Sequence, residues 1–207
     1  MLSSDFLFPD YYFTNGFEHD MMRIREIRNK DKKAKFMKIY TRNGDAGQTD
    51  LFAGGRVPKD HPRVEALGEM DEFNCSLGVL RSHDLPPEVD ALVEAIQRKL
   101  FIIGSEFACP VPEKLGIQSL IPDEITALEE KIDHFSENLR PLKGMLCPVG
   151  NRASVFCQLA RAVCRRVERR LVTAVRECEE PISPLIPQYF NRLSDLLFVL
   201  GRFLEEK

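Results

Sequence analysis

Apolar residues recur at steps of three and four along most of the chain, the spacing that places them on one side of an α-helix. Met70, Phe73, Leu77 and Leu80 make a first stripe. Val89, Leu92, Ile96, Leu100, Ile103 and Phe107 make a second, begun after Pro86-Pro87 and stopped at Cys109-Pro110. Ile125, Leu128, Ile132, Phe135 and Leu139 form a third, with Pro122 at its start. Phe156, Ala160, Val163, Val167 and Leu171 form a fourth. Tyr189, Leu193, Leu196, Leu200 and Phe203 form a fifth, following Pro184 and Pro187. The prolines fall at helix starts and ends, where a missing N–H costs little. Neither a sustained period-2 alternation nor a βαβ rhythm is present. The pattern predicts an all-α fold, an antiparallel five-helix bundle.

Ahead of the first stripe the pattern changes. The stretch TRNGDAGQT, Thr41 to Thr49, is polar, and Gly44 and Gly47 permit a tight backbone. Thr41, Thr49, Arg42 and Asp45 supply hydroxyls and charge. A Walker A loop needs a Lys-Ser/Thr pair after its last glycine, whereas Gln48 and Thr49 follow Gly47 here. P-loops and dinucleotide loops also sit between a parallel strand and a helix, and no such sheet is predicted. The loop is therefore expected to work on a bundle. Earlier still, residues 1–36 mix Phe6, Phe8, Tyr11, Tyr12, Phe13 and Phe17 with acids, then turn basic from Arg23 to Lys35. The early acids and the lack of a continuous apolar core argue against a signal peptide and weaken a transit-peptide reading. Met37 begins MKIYTRNGD, the expected start of the folded unit. The organisation expected is an N-terminal extension, 1–36, and a helical domain, 37–207. A flexible tail, an arm peculiar to the family and an upstream start codon all remain open for the extension.

Composition narrows the function. At 207 residues the chain is long enough for one buried core. Lys and Arg total 29 against 32 Asp and Glu, a net charge of −3, so the basic surplus of a general nucleic-acid binder is missing. No apolar run approaches the ~20 residues of a membrane helix. The six cysteines, at 75, 109, 147, 157, 164 and 178, form no CxxC, and the four histidines are not at ligand spacing. The expectation is buried free thiols in a reducing compartment rather than a zinc site.

Three groups of polar residues lie beside the stripes. In RAVCRRVERR, Arg161, Arg165 and Glu168 stand at i, i+4 and i+7 and share a face. That face reads either as solvated charge with local ion pairs or as a ligand surface. The second reading is favoured by a basic cluster too dense for Glu168 to neutralise and by the breaker-rich turn Cys147–Asn151 just before it. Asp71 and Asn74 flank the first stripe, Asn191 and Asp195 the fifth; each pair alone is an ordinary cap or polar neighbour. Lys59 and Arg56 add cationic reach after the loop. Gly44, Gly47, Thr41, Thr49, Lys59, Arg161 and Arg165 suit an anion of several charges such as a triphosphate. Asp195 or Glu168 would help hold its magnesium. Neither a Ser-His-Asp set nor a reactive Cys-His pair is present, so a transfer from a nucleotide would take its nucleophile from the other substrate.

Four blocks in order carry a resemblance: KIYTRNGDAGQTDLF, GGRVPKDHPRVEALGEMDEFNCSLG, RAVCRRVERRLV and YFNRLSDLLFVLGR. From about Met37 onward the chain resembles the ATP:cob(I)alamin adenosyltransferases of the PduO type. The resemblance implies a homotrimer of ferritin-like helical bundles with active sites between subunits. It implies that Co(I) of a reduced cobalamin attacks the 5′ carbon of ATP, giving adenosylcobalamin and triphosphate. Thr41, Arg42, Gly44, Asp45, Gly47, Thr49 and Lys59 resemble the phosphate cradle, and Arg165 the arginine on the phosphates. Glu168 and Asn191 match positions tied to nucleotide and Mg2+. Asp71 and Arg161 resemble a pair that bridges subunits at the active site. Implied partners are a cob(II)alamin reductase and an adenosylcobalamin-dependent mutase; the implied compartment is the cytoplasm, or mitochondria in a eukaryote. One segment departs from the family. MLCPVGN places Met145 where Phe is usual, in a role of crowding out the lower axial ligand, and Val149 where glycine is usual. That departure leaves an alternative: an ATP- and cobalamin-binding carrier or sensor with little catalysis.

Overall fold

The computed structural model describes residues 40–52, 55–137, 139–142 and 144–207; the extension 1–36 lies outside them. The chain divides into two compact units, the first ending in Leu51 and Gly55–Pro58, the second holding Lys59–Lys207.

The first unit carries a structure the periodicity did not announce. Strands β1 (Gln48–Asp50) and β2 (Arg56–Pro58) pair antiparallel with Thr49 opposite Val57. Three residues are too few to show alternation. Before β1 the backbone turns twice. The Asp45 N–H donates to the Arg42 carbonyl at 3.3 Å, and the Gly47 N–H to the Gly44 carbonyl at 3.1 Å. Gly47 takes the left-handed region, with φ 78°, which only glycine adopts freely. Arg42 takes it too, with φ 63°. Arg56 fastens this loop: its Nη2 donates to the Asn43 carbonyl at 2.7 Å and its Nε to Gln48 Oε1 at 3.3 Å.

The second unit consists of α1 (Pro62–Arg81), α2 (Pro87–Ala108), α3 (Pro122–Ser136), α4 (Arg152–Glu177) and α5 (Leu185–Glu205), with a short 3-10 turn at Pro112–Leu115. Local chemistry sets the starts. Pro62, Pro87 and Pro122 open their helices where no N–H bond is lost. His61 caps α1 by accepting from the Arg63 N–H, and Asn151 caps α4 by accepting from the Ser154 N–H. Pro187 falls inside the first turn of α5, where an N–H has no intrahelical partner.

Cross-links give the helix directions. Arg81 binds Asp90 and Glu94 while Gln97 donates to the Asn74 carbonyl, so α1 and α2 run antiparallel. Arg166 pairs with Glu69 and Glu72, and Arg170 with Glu65, making α1 and α4 antiparallel. Ser154 donates to the Gly201 carbonyl and Cys164 to that of Phe190, so α4 and α5 are antiparallel as well. The exception is α3 beside α5. Glu129 meets Arg192, and Phe135 stacks edge-on against Phe203 at 5.0 Å, so these two run parallel.

The stripes mark the core with local shifts. In α2 Val93 is buried and Leu92 is half-buried; in α4 Cys157 is buried, while Phe156 stacks on His83 at 4.8 Å. Only Leu128 and Phe135 of α3 are fully buried, whereas α5 buries residues around most of its circumference. Arg63, 1 % exposed, ties three segments. Its Nη1 donates to the Phe107 carbonyl at 2.6 Å and its Nη2 to the Glu180 carbonyl at 2.9 Å. Of the six free thiols, Cys109, Cys157 and Cys164 are buried but Cys75 and Cys147 are exposed, which corrects the expectation of uniformly buried thiols.

Candidate functional site

On α4, Arg161, Arg165, Glu168, Val172 and Val175 stand at i, i+4, i+7, i+11 and i+14, a single lengthwise face. Arg165, Glu168, Arg169 and Val172 line a hollow of about 230 Å³ on it. The charges of the helix are sorted. Arg166 and Arg170 point to α1, where Glu69, Glu72 and Glu65 neutralise them. This corrects the view that only Glu168 opposes the basic cluster: the partners come from another helix. Among the described residues, Arg165 and Arg169 have no carboxylate partner within ion-pair distance.

The structure brings Glu168 and Asn191 together. The Asn191 Nδ2 donates to Glu168 Oε1 at 2.9 Å, and Asn191 Oδ1 accepts from Arg192 at 2.8 Å. Arg192 in turn donates to Glu129 at 2.6 Å, so α3, α4 and α5 share one network that fixes the Glu168 carboxylate beside the hollow. Asp195, the other magnesium candidate, is exposed and lies 4.0 Å from Arg192.

The other expected residues belong to other segments of the chain. Thr41, Arg42, Gly44, Asp45, Gly47 and Thr49 belong to the hairpin unit, with Arg42 5.6 Å over the Tyr40 ring. Lys59 is exposed in the turn before α1. Arg56, expected to add cationic reach, donates to the loop backbone at the Asn43 carbonyl. Asp71 is exposed on α1, and no ion pair with Arg161 forms among the described residues of the chain. Met145 is exposed in the segment between α3 and α4.

Two participants escaped the sequence reading. Arg169 lines the hollow; its place at i+4 from Arg165 was the available signal. Gln158 accepts from Arg161 Nε at 2.7 Å, and the isolated Gly201 inside the fifth stripe was its signal.

A second hollow, about 510 Å³, lies among Arg63, Glu106, Pro112, Leu120 and Pro181. It is larger, yet its polar groups are already spent. Arg63 serves backbone carbonyls, and Glu106 accepts from the Leu120 N–H at 2.8 Å. Burial pushes the Glu106 carboxyl up. The smaller hollow on α4 offers two cations with no carboxylate partner among the described residues, although Arg169 Nη1 donates to the Arg165 carbonyl at 3.0 Å, and it is the better anion site.

A helical unit with such a cationic face, preceded by a glycine-turn hairpin, defines the class. Residues 39–204 match the family of cobalamin adenosyltransferases, and the chain belongs to it. The corrinoid adenosyltransferase PduO of Salmonella typhimurium is 41 % identical over 170 residues, covering 80 % of this chain and 49 % of the relative. The chain thus spans about half the length of this relative and of its Citrobacter freundii counterpart. The cobalamin adenosyltransferase of Cupriavidus metallidurans is 39 % identical over 171 residues, covering 82 % of this chain and 89 % of that one. Among solved structures, a variant PduO-type ATP:corrinoid adenosyltransferase from Lactobacillus reuteri complexed with cobalamin and ATP superposes with a TM-score of 0.76 at 34 % identity. It covers 82 % of this chain and 94 % of that one.

Proposed function

We propose that the chain transfers the 5′-deoxyadenosyl group of ATP to the Co(I) of a reduced corrinoid, releasing triphosphate. The lone pair of Co(I) forms the Co–C5′ bond, the C5′–O bond breaks, and its electron pair leaves with the triphosphate; cobalt ends formally as Co(III). The observation that carries this reading is the sorted charge of α4. A helix that neutralises Arg166 and Arg170 against α1 but leaves Arg165 and Arg169 without a carboxylate among the described residues, beside a hollow, suits a phosphate chain.

In this reading the residues divide the work. Thr41, Arg42, Gly44, Asp45, Gly47, Thr49 and Lys59 cradle the triphosphate, with the threonine hydroxyls and the Arg42 and Lys59 cations as donors. Arg165 takes charge that develops on the leaving group. Asn191 holds Glu168 in place from α5. Among the described residues no three metal-ligating side chains cluster. A lone carboxylate fits Mg2+, which is commonly held by one or two carboxylates plus substrate phosphates. Glu168 would hold that ion, which would supply charge neutralisation on the phosphates.

The assembly proposed is a homotrimer with sites between subunits. The apolar Val172 and Val175, both exposed beside the arginines, favour contact with another copy. Asp71 of one subunit would then meet Arg161 of the next. A Co(I) substrate requires a reductase upstream, and the product would feed a mutase that uses adenosylcobalamin. No helix among the described residues is long and apolar enough to cross a membrane. The proposed compartment is the cytoplasm, or mitochondria if the source is eukaryotic.

The exposed Met145 favours a second reading, a carrier or sensor that binds both substrates with little chemistry. One anaerobic assay separates the two: protein, Mg2+, ATP and chemically reduced cobalamin, followed by visible spectroscopy and phosphate analysis. Adenosylcobalamin with intact triphosphate is the expected result. Bound ATP without a cobalt–carbon bond would overturn the transferase reading and make Met145→Phe the next variant.

A further inference from the structure

Gln158 occupies a core position of α4, between the buried Cys157 and the buried Ala160, and is itself 5 % exposed. Its Oε1 accepts from Arg161 Nε at 2.7 Å. Because Nε of arginine can only donate, the facing atom must be the carbonyl oxygen, which fixes the amide's orientation. The NH2 end is thereby sent toward α5, where it meets Gly201. A Cβ at that glycine would lie 2.4 Å from Gln158 Nε2 and 3.0 Å from its Cδ. No side chain but hydrogen leaves room for the amide.

The arrangement carries two stability costs. Nε2 is buried with no acceptor among the described residues, and an orphaned buried donor is unfavourable. A glycine inside a helix is unfavourable as well. A leucine or methionine at position 158 would incur no orphan. Packing therefore does not select glutamine here. What the amide does, and an apolar chain would not, is hold the Arg161 guanidinium by its Nε and leave both Nη groups uncommitted among the described residues.

We propose that Gln158 is a positioning residue for the adenosyl transfer: seated in the slot that Gly201 leaves open, it aims Arg161 at its partner in the active site. This rests on the role assigned to Arg161 under the proposed function. It predicts an exchange of stability against activity at one residue.

The test compares Gln158→Leu, Gln158→Met, Gln158→Glu and Arg161→Ala in the full chain. Steady-state transfer to reduced cobalamin and the melting temperature are measured for each. Misplacing a reacting group by about 1 Å can cost about 100-fold, so the two apolar variants should lose about 10- to 100-fold in kcat. Their Tm should hold or rise, and the KM for ATP should stay within about twofold. Gln158→Glu keeps an oxygen acceptor for Arg161 and should recover most of the rate. Combining Gln158→Leu with Arg161→Ala should be no worse than Arg161→Ala alone, since both act through one guanidinium. Wild-type kcat in both apolar variants, with Arg161→Ala inactive, overturns this inference and leaves the site standing. A loss of rate that follows a fall in Tm and is not restored by Gln158→Glu makes Gln158 a packing residue and overturns it too. Wild-type activity in Arg161→Ala overturns the underlying reading of the site.

Discussion

Replacing Arg63 with methionine should lower the melting temperature by about 4–12 °C, and the size of the drop can be argued atom by atom. Methionine keeps the buried stem and removes the guanidinium. The Phe107 carbonyl, in the last turn of α2, has no intrahelical partner and loses its 2.6 Å donor. An orphaned buried acceptor costs about 1–3 kcal/mol. The carbonyls of Glu180 and Pro181, at 2.9 and 3.4 Å, are only part-buried and can turn to water, so each loses about 0.5–1.5 kcal/mol or less. A cation at the C-terminal end of α2 adds about 0.3–1 kcal/mol. Against these stands relief of the unpartnered, buried Nε, worth about 1–3 kcal/mol to the variant. The balance is about 2–3 kcal/mol destabilising, and at about 2–4 °C per kcal/mol for a domain this size the drop follows. Circular-dichroism melts at one protein concentration measure it, because assembly makes Tm concentration-dependent. Arg63→Lys should fall between, since an ammonium reaches fewer carbonyls at once. If the methionine variant melts within about 1 °C of the parent, water reaches all three carbonyls and Arg63 ties nothing.

Other consequences are open to measurement. Arg165→Ala should lower turnover by about 100-fold or more, the scale of losing one charge-stabilising donor. Its Tm should change by less than about 2 °C, because the side chain is exposed and has no carboxylate partner among the described residues; equal losses of both would place Arg165 in the framework. Burial pushes the Cys157 thiol up to about 12 and Cys164 higher still. At pH 8 the Cys157 thiolate fraction is then on the order of 10⁻⁴. A thiol reagent should therefore modify the exposed Cys147 and Cys75 in the native protein and reach Cys157 and Cys164 only on unfolding. Rapid native labelling at Cys157 contradicts this. Burial also raises the Glu106 carboxyl, so its stabilising protonated form is lost as pH rises through the raised folded value. Glu106→Gln, which keeps an acceptor for the Leu120 N–H, should gain a few degrees in Tm at pH 8 and nothing at pH 4. A pH-independent difference would show that the carboxylate is not the cause.

The helices were legible because their information is local. Pro62, Pro87 and Pro122 punctuate stripes whose spacing needs no knowledge of partners, and four of the five stripes point within one residue of the true core. Where they shift, a second neighbour decides: Phe156 gives way to Cys157 because His83 offers it a ring to stack on. The hairpin was not legible, since three-residue strands carry no period. Nor was the sorting of charge on α4. Arg165 and Arg166 are adjacent and identical in type, and only the position of Glu69 and Glu72, roughly a hundred residues earlier, separates a neutralised cation from a free one. The same distance hides Arg63, whose acceptors lie 44 and 117 residues away. The residues alone placed Glu168 with Arg161 and Arg165 and Asn191 with Asp195, each beside its own helix's apolar seam; only the family resemblance put Glu168 and Asn191 together, because a seam is visible from one helix at a time.

The parallel pairing of α3 with α5 also has a consequence for synthesis. Leu128 and Phe135 bury themselves mainly against α5, and α5 is the last of the five helices to leave the ribosome. Between Ser136 and Leu185 roughly fifty residues must be translated, which at about 5–20 residues per second takes about 2–10 seconds. During that interval α1, α2 and α4 can begin to pair, but α3 has no apolar partner to receive it. The nascent chain thus presents one amphipathic helix to whatever folding factors are at hand, and truncation within α5 would strand it permanently.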